Sequence, residues 1–386
     1  MAHLILHIGS HKTGTTSIQH VLTRESEALR KAGVAYLQTN SIGRPAGNAN
    51  TIARTLGKGE KFQTRLREDA ADALLQPEAP TCILSSELLF WLHEPQHIAR
   101  LARIARSRFD RISVIAYLRR QDRLALSHRK QVIAAAPRRP AARFYGFQMS
   151  ALPAHQPHFA QLFDYHAKLE MWRSAFGGEN MQVALFDPAA LKNGDAVADF
   201  LARAGIDIEV GDEPVRRNAA VGRERLLISL AAKAAGIGGE SFKAIRDAAS
   251  NEGALLPSRA DAAAFLGHWS DSNARLAEAW TLDDGSPFVF GDDLSMYPEV
   301  GTDTWTDAQA REAIDHLLKG AAAIQVRRDK RKGREGQEPR AGAKPRAQRK
   351  RKGPGKGFGG GGSHGIASKP GFRRRKITRR QRKMSD

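Results

Sequence analysis

Near the amino terminus, a buried-strand pattern over residues 3–8, a glycine-bearing loop and a helical pattern from Ser17 to Ala32 follow one another without a gap. Ile18, Val21, Leu22 and Leu29 fall mostly on one face of that helix, and Gly33 ends it. The loop between them reads Gly9-Ser10-His11-Lys12-Thr13-Gly14-Thr15-Thr16. Gly9 and Gly14 are expected to take positive φ and let the backbone approach an anion closely. The loop amides and the helix N-terminus then face that anion with a favourable dipole. Thr15, Thr16 and Ser17 add hydroxyl donors. Together these features predict a phosphate cradle.

The lysine stands in an unusual place. Nucleoside triphosphatases put lysine directly after the second glycine, followed by Ser or Thr for magnesium. Here Thr15 follows Gly14, and Lys12 comes two residues before that glycine. A lysine inside the loop sits beside a bridging oxygen, where charge builds on a leaving phosphate. No later aspartate is placed as a magnesium ligand, so ATP hydrolysis is disfavoured and no metal is expected.

Downstream the strand and helix patterns alternate. Strands are expected at 34–36, 81–85, 112–118 and 181–186, and helices near 60–75, 95–107, 121–135, 161–176 and 195–204. Residues 137–158, rich in Pro and His, read as an irregular excursion. The alternation predicts an α/β fold, a parallel sheet with helices on both faces. From about 221 to 326 only helical patterns occur, including one from Ala260 to Trp280 and a last one near 306–326. These predict a helical extension packed on the α/β layer, so that 1–326 form one domain. Cys82, the only cysteine, lies in a strand pattern and reads as a packing residue.

The stretch His7-Ile8-Gly9-Ser10-His11-Lys12-Thr13-Gly14-Thr15-Thr16-Ser17-Ile18-Gln19 resembles the 5′-phosphosulfate loop of the sulfotransferase family, in its bacterial and carbohydrate-modifying branch. The resemblance implies a fold related to nucleotide kinases and 3′-phosphoadenosine 5′-phosphosulfate (PAPS) as co-substrate. Lys12, Thr13, Gly14, Thr15, Thr16 and Ser17 would hold its 5′ end. The family grips the 3′-phosphate with an arginine at a strand end and a serine eight residues later. Arg119 and Ser127 match that spacing, with Arg120 as the alternative one position on. An arginine fork and a hydroxyl suit such a phosphate. The resemblance covers residues 3 to 290 and is sharp at these two motifs. It implies sulfuryl transfer to an acceptor hydroxyl, on a carbohydrate.

In-line transfer calls for a general base near the acceptor. Glu87, in Ser85-Ser86-Glu87-Leu88 just past strand 81–85, is the candidate. The plainer reading has Ser86 cap the next helix and Glu87 complement its dipole. His11 is the second candidate base, while His93 and His128 read as ordinary surface residues. Arg217-Asn218 and Ser272-Asn273 also resemble segments of bacterial members, and capping or packing accounts for both asparagines. Trp269 and Trp280 read as core residues of one helix. The Arg331-Lys332-Gly333 and Arg351-Lys352-Gly353 triplets match a family element by composition only.

Charge separates the chain into two parts. Residues 327–386 hold 23 of the 61 Lys and Arg but 4 of the 41 Asp and Glu, and so carry +19 of the net +20. This tail, with Gly359-Gly360-Gly361-Gly362 and almost no apolar residues, is expected to be disordered. Blocks such as Arg349-Lys350-Arg351-Lys352 would bind a polyanion: RNA, anionic lipid or a glycan. No transmembrane run and no export pattern are present, which predicts a cytoplasmic protein, with peripheral membrane attachment open through the tail. Two other function classes fit parts of the pattern. One is a P-loop nucleotide-dependent kinase, and the other a non-enzymatic polyanion-binding protein acting through its tail.

Overall fold

The computed structural model describes residues 1–39, 48–134, 139–211, 221–319 and 322. Its strands are β1 (His3–His7), β2 (Val34–Leu37), β3 (Ala53–Leu56), β4 (Gln63–Leu66), β5 (Thr81–Ser85), β6 (Arg111–Leu118) and β7 (Met181–Leu185). The helices that carry the fold begin with α1 (Thr15–Arg24), α2 (Ser26–Lys31), α3 (Glu68–Leu74), α4 (Glu87–Phe90) and α5 (Pro95–Arg106). Then come α6 (Gln121–Ala134), α7 (Pro140–Tyr145), α8 (Ala160–Phe163), α9 (Tyr165–Phe176) and α10 (Ala196–Arg203). The last four are α11 (Arg223–Ala234), α12 (Gly239–Ala248), α13 (Arg259–Gly267) and α14 (Ser270–Ala279).

Five strands form one parallel sheet in the order β2-β5-β1-β6-β7. Alternation along each strand sends side chains to opposite faces. Leu4, Leu6, Cys82, Leu84, Val114 and Ala116 point into the larger apolar core, with Leu101 of α5 and Leu169 of α9. Ile5, Ile83, Ile115 and Tyr117 point the other way, onto Ile18 and Leu22 of α1 and Phe200 of α10. The fold is therefore α/β with helices on both faces. Leu226, Leu230, Phe265 and Trp269 of the helical extension share the larger core. Strand order runs outward in both directions from β1, so the loops after β1, β5 and β6 open at one carboxyl edge. Ligands bind at such a switch point in open α/β sheets.

Several local expectations are corrected. Residues 62–66 are not helical: after a single 3₁₀ turn over Gly59–Lys61, β4 pairs antiparallel with β3, and only 68–74 form an α-helix. Buried Phe62, Thr64 and Leu66 alternate with Arg65, a period-2 signal that outweighs helix propensity. The 137–158 excursion contains α7, which starts at Pro140, ends at Gly146 (φ 68°) and buries Phe144 and Tyr145. The 17–32 helix divides at Glu25 into α1 and α2. The 260–280 helix divides near Trp269, whose ring drops into the core against Phe163 at 5.4 Å. Helical turns run from 307 to 319. Among the described residues no helix is long and apolar enough to cross a membrane. The 327–386 tail, its triplets and Arg217-Asn218 lie outside the described residues.

Candidate active site

The loop leaves β1 at the centre of the sheet, anchored where the Ile8 amide donates to the Ile115 carbonyl at 3.1 Å. Positive φ falls at Lys12 (64°) and Gly14 (74°), and Gly9 does not share it. Gly9 is required by close approach instead. A Cβ there would meet His7 Nε2 and Thr15 Oγ1, each at 2.9 Å. At Gly14 a Cβ would meet the Ala196 Cβ of α10 at 2.6 Å. Left-handed backbone at a lysine costs about 1–2 kcal/mol, the kind of strain that collects at functional loops. Thr13 and Thr15 turn their hydroxyls inward, both donating to the Ser10 carbonyl, at 2.6 and 3.4 Å. They brace the loop, so towards a ligand they offer amides and not hydroxyls. Thr16 is exposed and Ser17 half-buried, which leaves those two hydroxyls accessible. The first turn of α1, a ten-residue helix, adds amides without intrahelical partners.

Two neighbouring arginines follow β6 and have different fates. Arg119 donates through Nη1 to the Lys12 carbonyl at 3.0 Å and lies over the Phe186 ring at 5.8 Å. Its own carbonyl accepts the Tyr165 hydroxyl at 2.6 Å. Arg120 is consumed by the fold. Its Nε and Nη2 grip the Asp122 carboxylate at 2.8 and 2.9 Å, and Nη1 donates to the carbonyls of Gly291 and Asp293 at 2.6 and 2.8 Å. The geometry thus leaves Arg119, and not Arg120, available to an anion. On α6, Arg123, Ser127 and Lys130 are half-buried at i, i+4 and i+7 among buried neighbours, one stripe of the helix. Arg123 pairs with Asp187 at 3.2 Å. The Ser127 hydroxyl makes no hydrogen bond among the described residues.

Glu87 opens α4, a helix of only four residues. Ser86 does not cap it; its hydroxyl donates to Asn50 Oδ1 at 2.6 Å. Asn50 in turn hydrogen-bonds the Glu87 side chain, and Lys12 acts on its charge. Burial raises the Glu87 carboxyl above the ordinary glutamate range, although Asn50 and Lys12 pull the other way. Lys12 is pushed below the ordinary lysine range, first by burial, with Arg119 and Lys130 adding and Glu87 opposing. Glu87 lines a cavity of about 450 Å³ together with His11, Thr16, Gln19, Asn48, Asn50, His128, Gln131 and Arg139.

The histidines differ from expectation. His128 is no surface residue: it is 1% exposed and stacks on His11 with ring centroids 4.4 Å apart. His93 is half-buried, its Nδ1 3.4 Å from the Trp91 carbonyl. Nε2 of His11 accepts the Trp91 indole N–H, so the lone pair a base would need is already engaged. Asn273 exchanges hydrogen bonds with Gln121 at 2.6 and 3.3 Å, a packing role that pins the start of α6. Asn50 and Lys130 escaped the sequence reading. Lys130 was findable, being one turn beyond Ser127 on the same stripe. Asn50 sits in a segment without periodicity, and only the fold brings it to Glu87.

No family model matches the chain. An uncharacterized protein of Archaeoglobus fulgidus is 30% identical over 95 residues, covering 25% of this chain and 23% of that protein. The chain thus matches about a quarter of that relative's length. Among solved structures, a sulfotransferase from Alicyclobacillus acidocaldarius is similar over 62% of this chain and 98% of its own, at 15% identity and a TM-score of 0.34. Mouse sulfotransferase SULT7A1 complexed with PAP is similar over 54% of this chain and 60% of its own, at 14% identity and a TM-score of 0.25.

Proposed function

We propose that this protein is a sulfotransferase that moves a sulfuryl group from PAPS to an acceptor hydroxyl on a carbohydrate. The observation that carries this reading is a concentration of positive charge at an amide-lined loop. Arg119 and Lys130 both act on the charge of Lys12, Arg119 also donating to the Lys12 carbonyl at 3.0 Å, with Glu87 the opposing charge on Lys12. That imbalance, beside the tight Gly9 and Gly14 backbone, fits a nucleotide with separate anionic groups. Lys12 and the loop amides would hold the 5′ end and oppose charge developing on the leaving phosphate. Arg119 and Ser127 would hold the 3′-phosphate. The donor supplies an activated sulfuryl group. Glu87, oriented by Asn50, would take the acceptor's hydroxyl proton. The carboxamides of Gln19, Asn48, Asn50 and Gln131 line the cavity, and such groups suit adjacent sugar hydroxyls better than an apolar ring.

Thermal-shift titration with adenosine 3′,5′-bisphosphate beside magnesium-ATP tests the donor assignment. At a hundred times its Kd, a ligand specific to the native state adds about 2.7 kcal/mol of stability. The bisphosphate is expected to raise the melting temperature, and Arg119→Ala to remove most of that rise. A shift with magnesium-ATP alone would favour the kinase.

Glu87 gives the reaction a pH signature. The ionised carboxylate is the active form and its pKa is raised, so kcat/KM should fall as pH drops through a value above the ordinary glutamate range. Above that value the profile should be flat on the acid side. Glu87→Gln is expected to lower kcat by about 10²-fold and to abolish the acid limb. An unchanged limb in the variant would remove Glu87 from the role.

A further inference from the structure

We propose that His11 is locked as its Nδ1–H tautomer by Trp91 and donates a hydrogen bond from Nδ1 to the sulfuryl group in transfer, as a neutral donor and not a base. This inference rests on the sulfotransferase reading above.

An indole nitrogen can only donate. Trp91 Nε1 is directed at His11 Nε2, so that nitrogen presents its lone pair and the ring proton is on Nδ1. Trp91 itself cannot turn away. It is fully buried and boxed by Phe62 and Phe144, with ring centroids at 4.9 and 4.7 Å. His128 lies nearly parallel to His11, at 19°, and fixes the plane of the imidazole. Nδ1 of His11 has no hydrogen-bond partner among the described residues, and His11 lines the same cavity as Glu87. It also precedes Lys12 directly in the loop.

Burial, with the Lys12 charge adding to it, pushes the His11 imidazole down to about 3, so the ring is neutral at physiological pH. A neutral ring with one nitrogen occupied by Trp91 has a single thing left to offer, the Nδ1–H. No proton moves through it. The acceptor's proton goes to Glu87, and His11 keeps its own throughout.

The test pairs a spectrum with kinetics on the full chain. In protein labelled with ¹⁵N-histidine, the His11 signals can be assigned by their loss in His11→Asn. Wild type at pH 7 should show a protonated Nδ1 and an unprotonated Nε2. The carboxamide of Asn reaches the place of Nδ1, and that of Gln the place of Nε2. If His11 donates through Nδ1, His11→Gln should lower kcat roughly 10²-fold with acceptor KM little changed, while His11→Asn keeps most of the rate. A purely structural partner for Trp91 gives the reverse order, with Gln tolerated and Asn not, and that result would overturn the proposal. So would a protonated Nε2 in an active wild type, which leaves the sulfotransferase reading standing. A wild type with the expected tautomer but no sulfuryl transfer from PAPS would overturn both.

Discussion

Lys12→Ala should lower kcat/KM for sulfuryl transfer by about 10³-fold or more, with little change in stability. The side chain is the one cation inside the loop, and Arg119, Lys130 and Glu87 all act on its charge. Losing one preorganised group at a site of developing charge costs about 10²–10³ in kcat. A charged hydrogen bond to the bound donor contributes about 1.5–3 kcal/mol more to kcat/KM. The fold should not suffer, because Lys12 is half-buried and adopts a left-handed backbone that alanine tolerates no worse. Steady-state rates with the donor varied separate the two losses, since weaker binding raises KM and the missing charge lowers kcat. A Lys12→Ala enzyme within tenfold of wild type would remove the lysine from the chemistry.

Arg120→Ala is expected to act on the opposite axis, destabilising the fold by about 3–5 kcal/mol, as breaking a buried pair does. Asp122 is fully buried and is held by Arg120 and by the Tyr297 hydroxyl at 2.6 Å. Without the guanidinium, that carboxylate loses its counter-charge, and the Gly291 and Asp293 carbonyls lose their donor. Urea unfolding should show a lower midpoint with the slope nearly unchanged. The double change Arg120→Ala with Asp122→Ala should recover part of the loss, since it removes the orphaned charge as well. Arg119→Ala, one residue away, should stay within about 1 kcal/mol of wild type, as expected for a half-buried group outside any ion pair. Equal destabilisation by the two arginines would contradict the division of labour between them.

What could be read without coordinates was whatever the chain holds in one local stretch. The loop proposed to hold phosphate is contiguous, so strand, glycines, lysine and helix start appear in order from His3 to Arg24. The alternation of strands and helices is likewise local, and it predicts the parallel sheet. Local propensity misled where tertiary pairing decides, as at β4, where an alternating segment joins a hairpin. It also failed at Gly9, because close packing against His7 and Thr15 is invisible to a turn rule.

The residues alone predict an anion site at the end of β1, since amide geometry and a lysine need no partners from afar. Only the folded molecule decided which arginine is available, what orients Glu87 and which nitrogen of His11 is occupied. Each of those depends on groups far apart along the chain: Arg120 on Gly291 and Asp293, Glu87 on Asn50, His11 on Trp91. A short sequence pattern records which side chains are present. Burial and long-range hydrogen bonds determine which of their atoms remain free.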